Sequence, residues 1–181
     1  MAEFFFKAFV EFASVKIDVP ALSKKKKKTE SEFDKTVLSK IQSYCAPRGI
    51  FVASCSYGFG TGKEIDYELD IYNCFGKAIK YVEMTITAED SLGVSLSNQA
   101  VRCNGPISPK AISNYEFHRV FSLDHASVAD VFISYAVIKF EDGSSVKYTS
   151  KSGVQSHILT SDRLHYAGLT DDEAQYWTGQ L

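Results

Sequence analysis

The chain has 181 residues, 45% hydrophobic and 13% aromatic, which is enough apolar surface for a packed core and too much for a disordered polymer. Its 20 Lys and Arg stand against 22 Asp and Glu, for a formal net charge of -2. That balance gives no general attraction to nucleic acid or anionic membrane, so any electrostatic argument must be local.

Residues 1–19 fit either a helix or strands through Phe4, Phe6, Phe9 and Phe12, but Val15, Ile17 and Val19 alternate with Lys16 and Asp18 before Pro20. The alternation predicts a strand near 14–19. Glu3, Lys7 and Glu11 interrupt the aromatic start, no basic n-region precedes it, and no run approaches a membrane span. The expectation is a cytoplasmic protein without a membrane span. Lys24, Lys25, Lys26, Lys27 and Lys28 form a charged loop whose like charges repel and stay solvated.

From Thr29 the period changes. Phe33, Val37, Leu38, Ile41 and Tyr44 recur at helical spacing, with Glu30, Glu32 and Asp34 in the first turn where the helix dipole favours them. Thr29 or Ser31 can cap this helix, and Pro47 to Gly49 end it.

To about residue 150 the pattern is short strands. Ile50–Tyr57 leads through the glycine-rich Gly58–Gly62 to Glu64–Tyr72, in which apolar and acidic residues alternate without a fault. Period two places Ile65, Tyr67, Leu69 and Ile71 on a buried face and Glu64, Asp66, Glu68 and Asp70 on a wet one. Further strands are predicted at Ile79–Glu89, more weakly at Val94–Val101, then Tyr115–Leu123 and Val128–Phe140, with Gly105–Pro109 an irregular connection. Asp142-Gly143 is a hairpin signal, with Val146 and Tyr148 on the return strand. Val131–Ile138 is apolar on both faces, as a central strand covered by the helix or the tail would be. In the tail, Thr170-Asp171-Asp172-Glu173 is a capping-box pattern that should start a short helix carrying Ala174, Tyr176 and Trp177.

These elements predict a mainly β chain, α+β overall: an antiparallel immunoglobulin-like sandwich over 50–150. Residues 1–49 supply a strand, the Lys-rich loop and an amphipathic helix packed on the sandwich, and 151–181 a tail with a short helix. Cys45, Cys55, Cys74 and Cys103 lack zinc-knuckle spacing. A Cys55–Cys103 bridge would lack the packing Trp of immunoglobulin domains, the sole Trp being Trp177, so buried reduced thiols are expected.

Tyr72-Asn73-Cys74-Phe75-Gly76-Lys77-Ala78-Ile79-Lys80-Tyr81-Val82-Glu83-Met84-Thr85-Ile86-Thr87-Ala88, closed by Leu92-Gly93, is followed by Gly105-Pro106-Ile107, an aromatic strand Tyr115–Phe121 and a late Ile138–Ser144 ending in Asp-Gly-Ser. This succession resembles an immunoglobulin or fibronectin type III-like β-sandwich module of small, mostly uncharacterised bacterial proteins, over roughly 64–149. The resemblance implies no catalytic residues. Such relatives are often exported, whereas no export signal is expected for this chain.

Gly58-Phe59-Gly60-Thr61-Gly62-Lys63 is not a phosphate loop: three residues rather than four precede Gly-Lys, and Glu64 stands where Ser or Thr is needed. It reads as a hairpin turn. Glu64, Asp66, Glu68 and Asp70 stand about 6.5–7 Å apart along one face and suit a solvated face, a basic partner or, shared by two of them, calcium. Lys24–Lys28 suit solvent, anionic groups, or the acidic stripe of a second copy. Tyr176 and Trp177 suit an interface or a groove of the sandwich. His118, His125, His157 and His165 have no metal-ligand spacing, and no nucleophile elbow is present.

The expectation is a non-enzymatic protein-binding or assembly module, such as a bacterial or phage accessory or immunity-type protein. It needs no cofactor or metal, and its partner is another protein or a second copy rather than nucleic acid. The contact surface would be a strand edge, the acidic stripe or the aromatic tail. The alternatives are a small hydrolase built on His118, His125 and loop carboxylates, or a structural subunit of a larger assembly.

Overall fold

The alternation in Glu64–Tyr72 governs the architecture. Ile65, Tyr67, Leu69 and Ile71 are each at most 1% exposed, while the four carboxylates between them lie half-buried on the opposite face. The structure is a computed structural model and describes residues 32–179. The predicted strand near 14–19, the segment before it and Lys24–Lys28 lie outside the described residues.

Helix α1 (Glu32–Cys45) leads to β1 (Val52–Phe59), β2 (Glu64–Tyr72), β3 (Ile79–Glu89), β4 (Ser95–Ile107), β5 (Ile112–Ser122), β6 (Asp130–Phe140) and β7 (Ser145–Tyr148). The tail adds α2 (Lys151–Gln155), α3 (Ser161–Leu164) and α4 (Asp171–Gly179). One sheet has the order β1-β2-β5 and the other β4-β3-β6-β7, with every strand pair antiparallel. Hairpins β1–β2, β3–β4 and β6–β7 stay within a sheet, and the other three connections cross between sheets. This is an immunoglobulin-like sandwich, mainly β with helices at both ends of the described chain.

The inner faces meet in one core. Ile65 and Leu69 of β2 and Phe121 of β5 share it with Val82 and Ile86 of β3 and Ile133 and Ile138 of β6. Burying side chains of this size contributes about 1.5–3 kcal/mol each. Cys103 lies in this core, and all four cysteines are unbridged thiols.

Tyr72, one residue out of step with Ile71, faces the other way. It belongs to a second cluster with Val37, Ile41 and Cys45 of α1, Ile50, Ala53, and Leu159, Leu164 and Leu169 of the tail. The spacing of four between Val37, Ile41 and Cys45 keeps them on one stripe of α1. Pro47 and the left-handed Gly49 (φ 66°) close the helix in a 3-10 turn, as expected. The predicted capping box is formed. Thr170 N–H donates to Glu173 Oε2 at 2.8 Å and Glu173 N–H donates to Thr170 Oγ1 at 3.3 Å. Glu173 also receives Lys40 Nζ at 2.6 Å, which ties α4 to α1. The tail, not α1, lies against the doubly apolar β6. Lys151 Nζ sits 3.5 Å from the Phe132 ring centroid, and Val154 of α2 enters the main core.

The expected irregular connection at Gly105–Pro109 needs correction, because β4 continues through Gly105, Pro106 and Ile107. β4 is an edge strand, so Pro106 removes no bond from a second neighbour. A Cβ on Gly105 would stand 2.5 Å from the Ile79 carbonyl oxygen and 2.7 Å from that of Lys80, so glycine here permits close strand approach rather than a turn. At the same end Asn73 is fully buried and joins three segments. Its Nδ2 donates to the carbonyls of Ile107 at 2.7 Å and Lys77 at 3.0 Å, and its Oδ1 accepts from Phe75 N–H at 3.0 Å. Lys77 reaches Asp142 at 3.0 Å in the β6–β7 turn. The Asn, Lys, Gly-Pro-Ile and Asp-Gly-Ser elements of the sequence therefore converge on one end of the sandwich.

Candidate functional site

The acidic stripe is largely occupied within its own sheet. Asp70 accepts from Ser54 Oγ at 2.9 Å and from Asn114 Nδ2 at 3.0 Å. Asp66 accepts the backbone N–H of Arg119 at 2.7 Å and lies 3.6 Å from His118 Nδ1. That backbone donor, aided by His118, holds the Asp66 carboxyl below its ordinary 3.8. Glu64 pairs with Arg119 Nε at 2.9 Å. The Glu68 carboxylate has no hydrogen bond or ion pair among the described residues, and Glu116 stands opposite it on β5. Four neighbours in sequence thus become three satisfied carboxylates and one like-charged pair.

The remaining candidates separate. Tyr176 packs edge-on against Phe33 and donates to Asp34. Trp177 instead lines an open groove of about 260 Å³ with Ser54, Cys55, Ile158, Leu159 and Leu164. The local fold explains this groove. Segment 157–159 runs beside the start of β1, with a parallel bridge between Val52 and Ile158 and Leu159 N–H donating to the Val52 carbonyl at 2.8 Å. The chain then turns into α3, and no described strand pairs with the β1 margin from Ser54 onward. The sequence pointed to Trp177 alone among these lining residues, because the groove is built by segments more than 100 positions apart.

The histidines scatter. His118 lies near Asp66 and Glu116, His125 Nε2 is 3.0 Å from the Glu64 carbonyl, His157 Nδ1 is 2.9 Å from the Gly49 carbonyl, and His165 Nδ1 is 3.8 Å from Asp171. Among the described residues neither His118 nor His125 is hydrogen-bonded to a serine, threonine or cysteine. Asp124 turns to cap Ala126 N–H at 3.3 Å rather than orienting its neighbour His125. Burial pushes the thiols of Cys45 and Cys103 up to about 12 and that of Cys74 up to about 11. Burial also raises Cys55 and, beside it, Tyr67, whose buried hydroxyl has no hydrogen bond of normal geometry among the described residues. These thiols stay neutral, which is unfavourable for nucleophilic attack. The glycine-rich segment is the expected hairpin turn, closed by Gly60 N–H to the Glu64 carbonyl at 2.9 Å with Gly62 at φ 77°.

Among the described residues no group of three or more His, Cys, Asp or Glu is placed to hold a metal ion, and no helix is long and apolar enough to cross a membrane. No known family model matches the chain, and no curated protein matches it. Among solved structures it is similar to IrmA from Escherichia coli at 14% identity, over 53% of this chain and 80% of that one, with a TM-score of 0.39.

Proposed function

We propose that the chain is a non-enzymatic protein-binding module whose contact region is the groove between the β1 margin and the tail. The observation that carries the reading is the way segment 157–159 leaves β1. One parallel bridge forms at Val52–Ile158, and beyond it an apolar cleft of about 260 Å³ opens beside strand backbone that no other described strand pairs. An extended segment of a partner protein would continue that pairing along Ser54–Phe59 and set one apolar side chain against Leu164 and Trp177. Backbone bonds then supply affinity and the cleft supplies selectivity. Trp177 brings a large amphipathic ring of the kind that anchors interfaces. The neutral thiols and the internally bonded carboxylates favour binding over catalysis. An accessory or immunity-type protein of a bacterium or phage, as the sequence resemblance suggests, would act through such a surface.

Ser161→Tyr tests this. Ser161 begins α3 on the exposed rim of the groove, where a larger side chain fills the cleft without entering either core. A partner recovered from the source cells by the native chain and lost by the variant, with near-ultraviolet circular dichroism unchanged, is the expected result. Equal recovery by both proteins, or substrate turnover by the purified chain, would overturn the reading.

A further inference from the structure

The two sheets have four lateral margins: β1 and β5 in one, β4 and β7 in the other. Margins of unpaired backbone invite further strands, and folded proteins blunt them with charges, bulges, short length or a covering segment. Two of the four are blunted along their length, and a third, β1, only at its start. β1 is partly covered by segment 157–159. β5 carries Glu116, His118 and Arg119, with a register break and a positive φ at Arg119. β7 is only four residues long.

Among the described residues, β4 has fewer of these devices over most of its length. It spans 13 residues, with Arg102 its one charge, and its register against β3 is unbroken from Ser97 to Asn104. Leu92, Val94 and Leu96, at and just before its start, are 85%, 56% and 37% exposed. Two side-chain bonds reveal which backbone groups face outward. Gln99 Nε2 donates to the Ala100 carbonyl at 3.1 Å, and the Tyr115 hydroxyl donates to the Asn104 carbonyl at 2.8 Å. Even-numbered residues therefore present their backbone away from β3. Asn104 is occupied by Tyr115, which leaves Asn98, Ala100 and Arg102 as an outward set centred on Ala100.

We propose that β4 pairs with β4 of a second copy of this chain, antiparallel about a two-fold axis at Ala100, joining two four-stranded sheets into one of eight. The occupant follows from self-complementarity. With the axis at Ala100, the alanines of the two copies face each other, and Asn98 of each stands opposite Arg102 of the other. On the paired strands no like charges stand directly opposite each other, the β5 residues Glu116, His118 and Arg119 line the groove beside Ala100 and Arg102 with both signs of charge, and the net charge of -2 per chain gives little repulsion. Arg102, the one charge in the seam, is already paired with Glu83 at 2.7 Å and held by the Tyr81 ring at 3.9 Å. The Gln99 amide now on the Ala100 carbonyl is exposed and yields that acceptor to the incoming N–H.

Sedimentation equilibrium of the full chain tests this with two variants, Ala100→Asp and Ala100→Lys, at an exposed position whose side chain enters no core. The native chain is expected at twice its 20.1 kDa. Each variant alone is expected at the monomer mass with unchanged circular dichroism, because like charges then face each other across the axis. An equimolar mixture of the two is expected to recover the dimer mass. A native chain that stays monomeric at the highest concentrations reached, a variant that dimerises alone as well as the native chain, or a mixture that fails to pair would each overturn the proposal. These variants leave the groove beside β1 untouched, so the outcome is independent of the partner reading above.

Discussion

The carboxylate of Asp66 accepts the backbone N–H of Arg119 at 2.7 Å, and Arg119 is one of two non-glycine residues with positive φ among those described, at 55°. A left-handed conformation is unfavourable for a residue with a Cβ, and the carboxylate holds it in place where the β2–β5 register breaks. Asp66→Ala should cost about 1 kcal/mol, a charge-assisted bond discounted for its partial exposure. A lower urea midpoint at unchanged slope is the check.

Glu68 should behave in the opposite way. Its carboxylate has no bonded partner among the described residues and faces Glu116 across the strands. Glu68→Lys replaces a like-charge pair with an opposite one and should be neutral or stabilising, by roughly 0.2–1 kcal/mol. A Glu68→Lys protein that melts clearly below the native one would show that the stripe's charge balance has been misread.

Asn73→Ala leaves the carbonyls of Ile107 and Lys77 and the N–H of Phe75 without the donors and acceptor they now have. Buried groups so orphaned cost about 1–3 kcal/mol each, so a loss of at least about 2 kcal/mol is expected. In a chain of this size that lowers the melting temperature by about 4–8 °C. Calorimetry of the single variant decides it.

The thiols give a chemical readout. With Cys45 and Cys103 raised to about 12 and Cys74 to about 11, almost no thiolate is present at neutral pH. A chromogenic disulfide reagent should label the native chain slowly and all four cysteines promptly in denaturant. Fast native labelling of Cys45 or Cys103 would contradict their burial.

Acid should loosen the α1–α4 clasp. The Lys40 ammonium, with the Thr170 N–H, holds the Glu173 carboxyl below its ordinary 4.5. The folded value is thus the lower one, and the stabilisation is fully present above the ordinary value and is lost as pH falls through the folded value. The difference in melting temperature between the native chain and Glu173→Gln should be largest near neutrality and shrink as the pH falls below the ordinary carboxyl value. A difference that grows on acidification would reverse the assigned sign.

The alternation in β2, the helical stripe of α1 and the capping box at Thr170 were all legible in the sequence, because each is set by neighbours a few positions apart. Gly105 and Pro106 misled for the same reason. Locally they signal a turn, and only the closeness of β3 reveals a strand. The β1 groove and the open β4 margin depend on which strands become neighbours, and composition does not carry that. The acidic stripe was visible as a pattern, but its partners Asn114, His118 and Arg119 arrive from a strand about 50 residues later.

The bond between Lys40 and Glu173 joins positions 133 apart and encloses every strand of both sheets. A chain pulled from its two described ends would load this contact and the α1 stripe behind it before any sheet hydrogen bond came under tension. Under mechanical force the molecule should therefore yield in two steps, with the helical cap peeling away at low force and the sandwich rupturing later at a higher one.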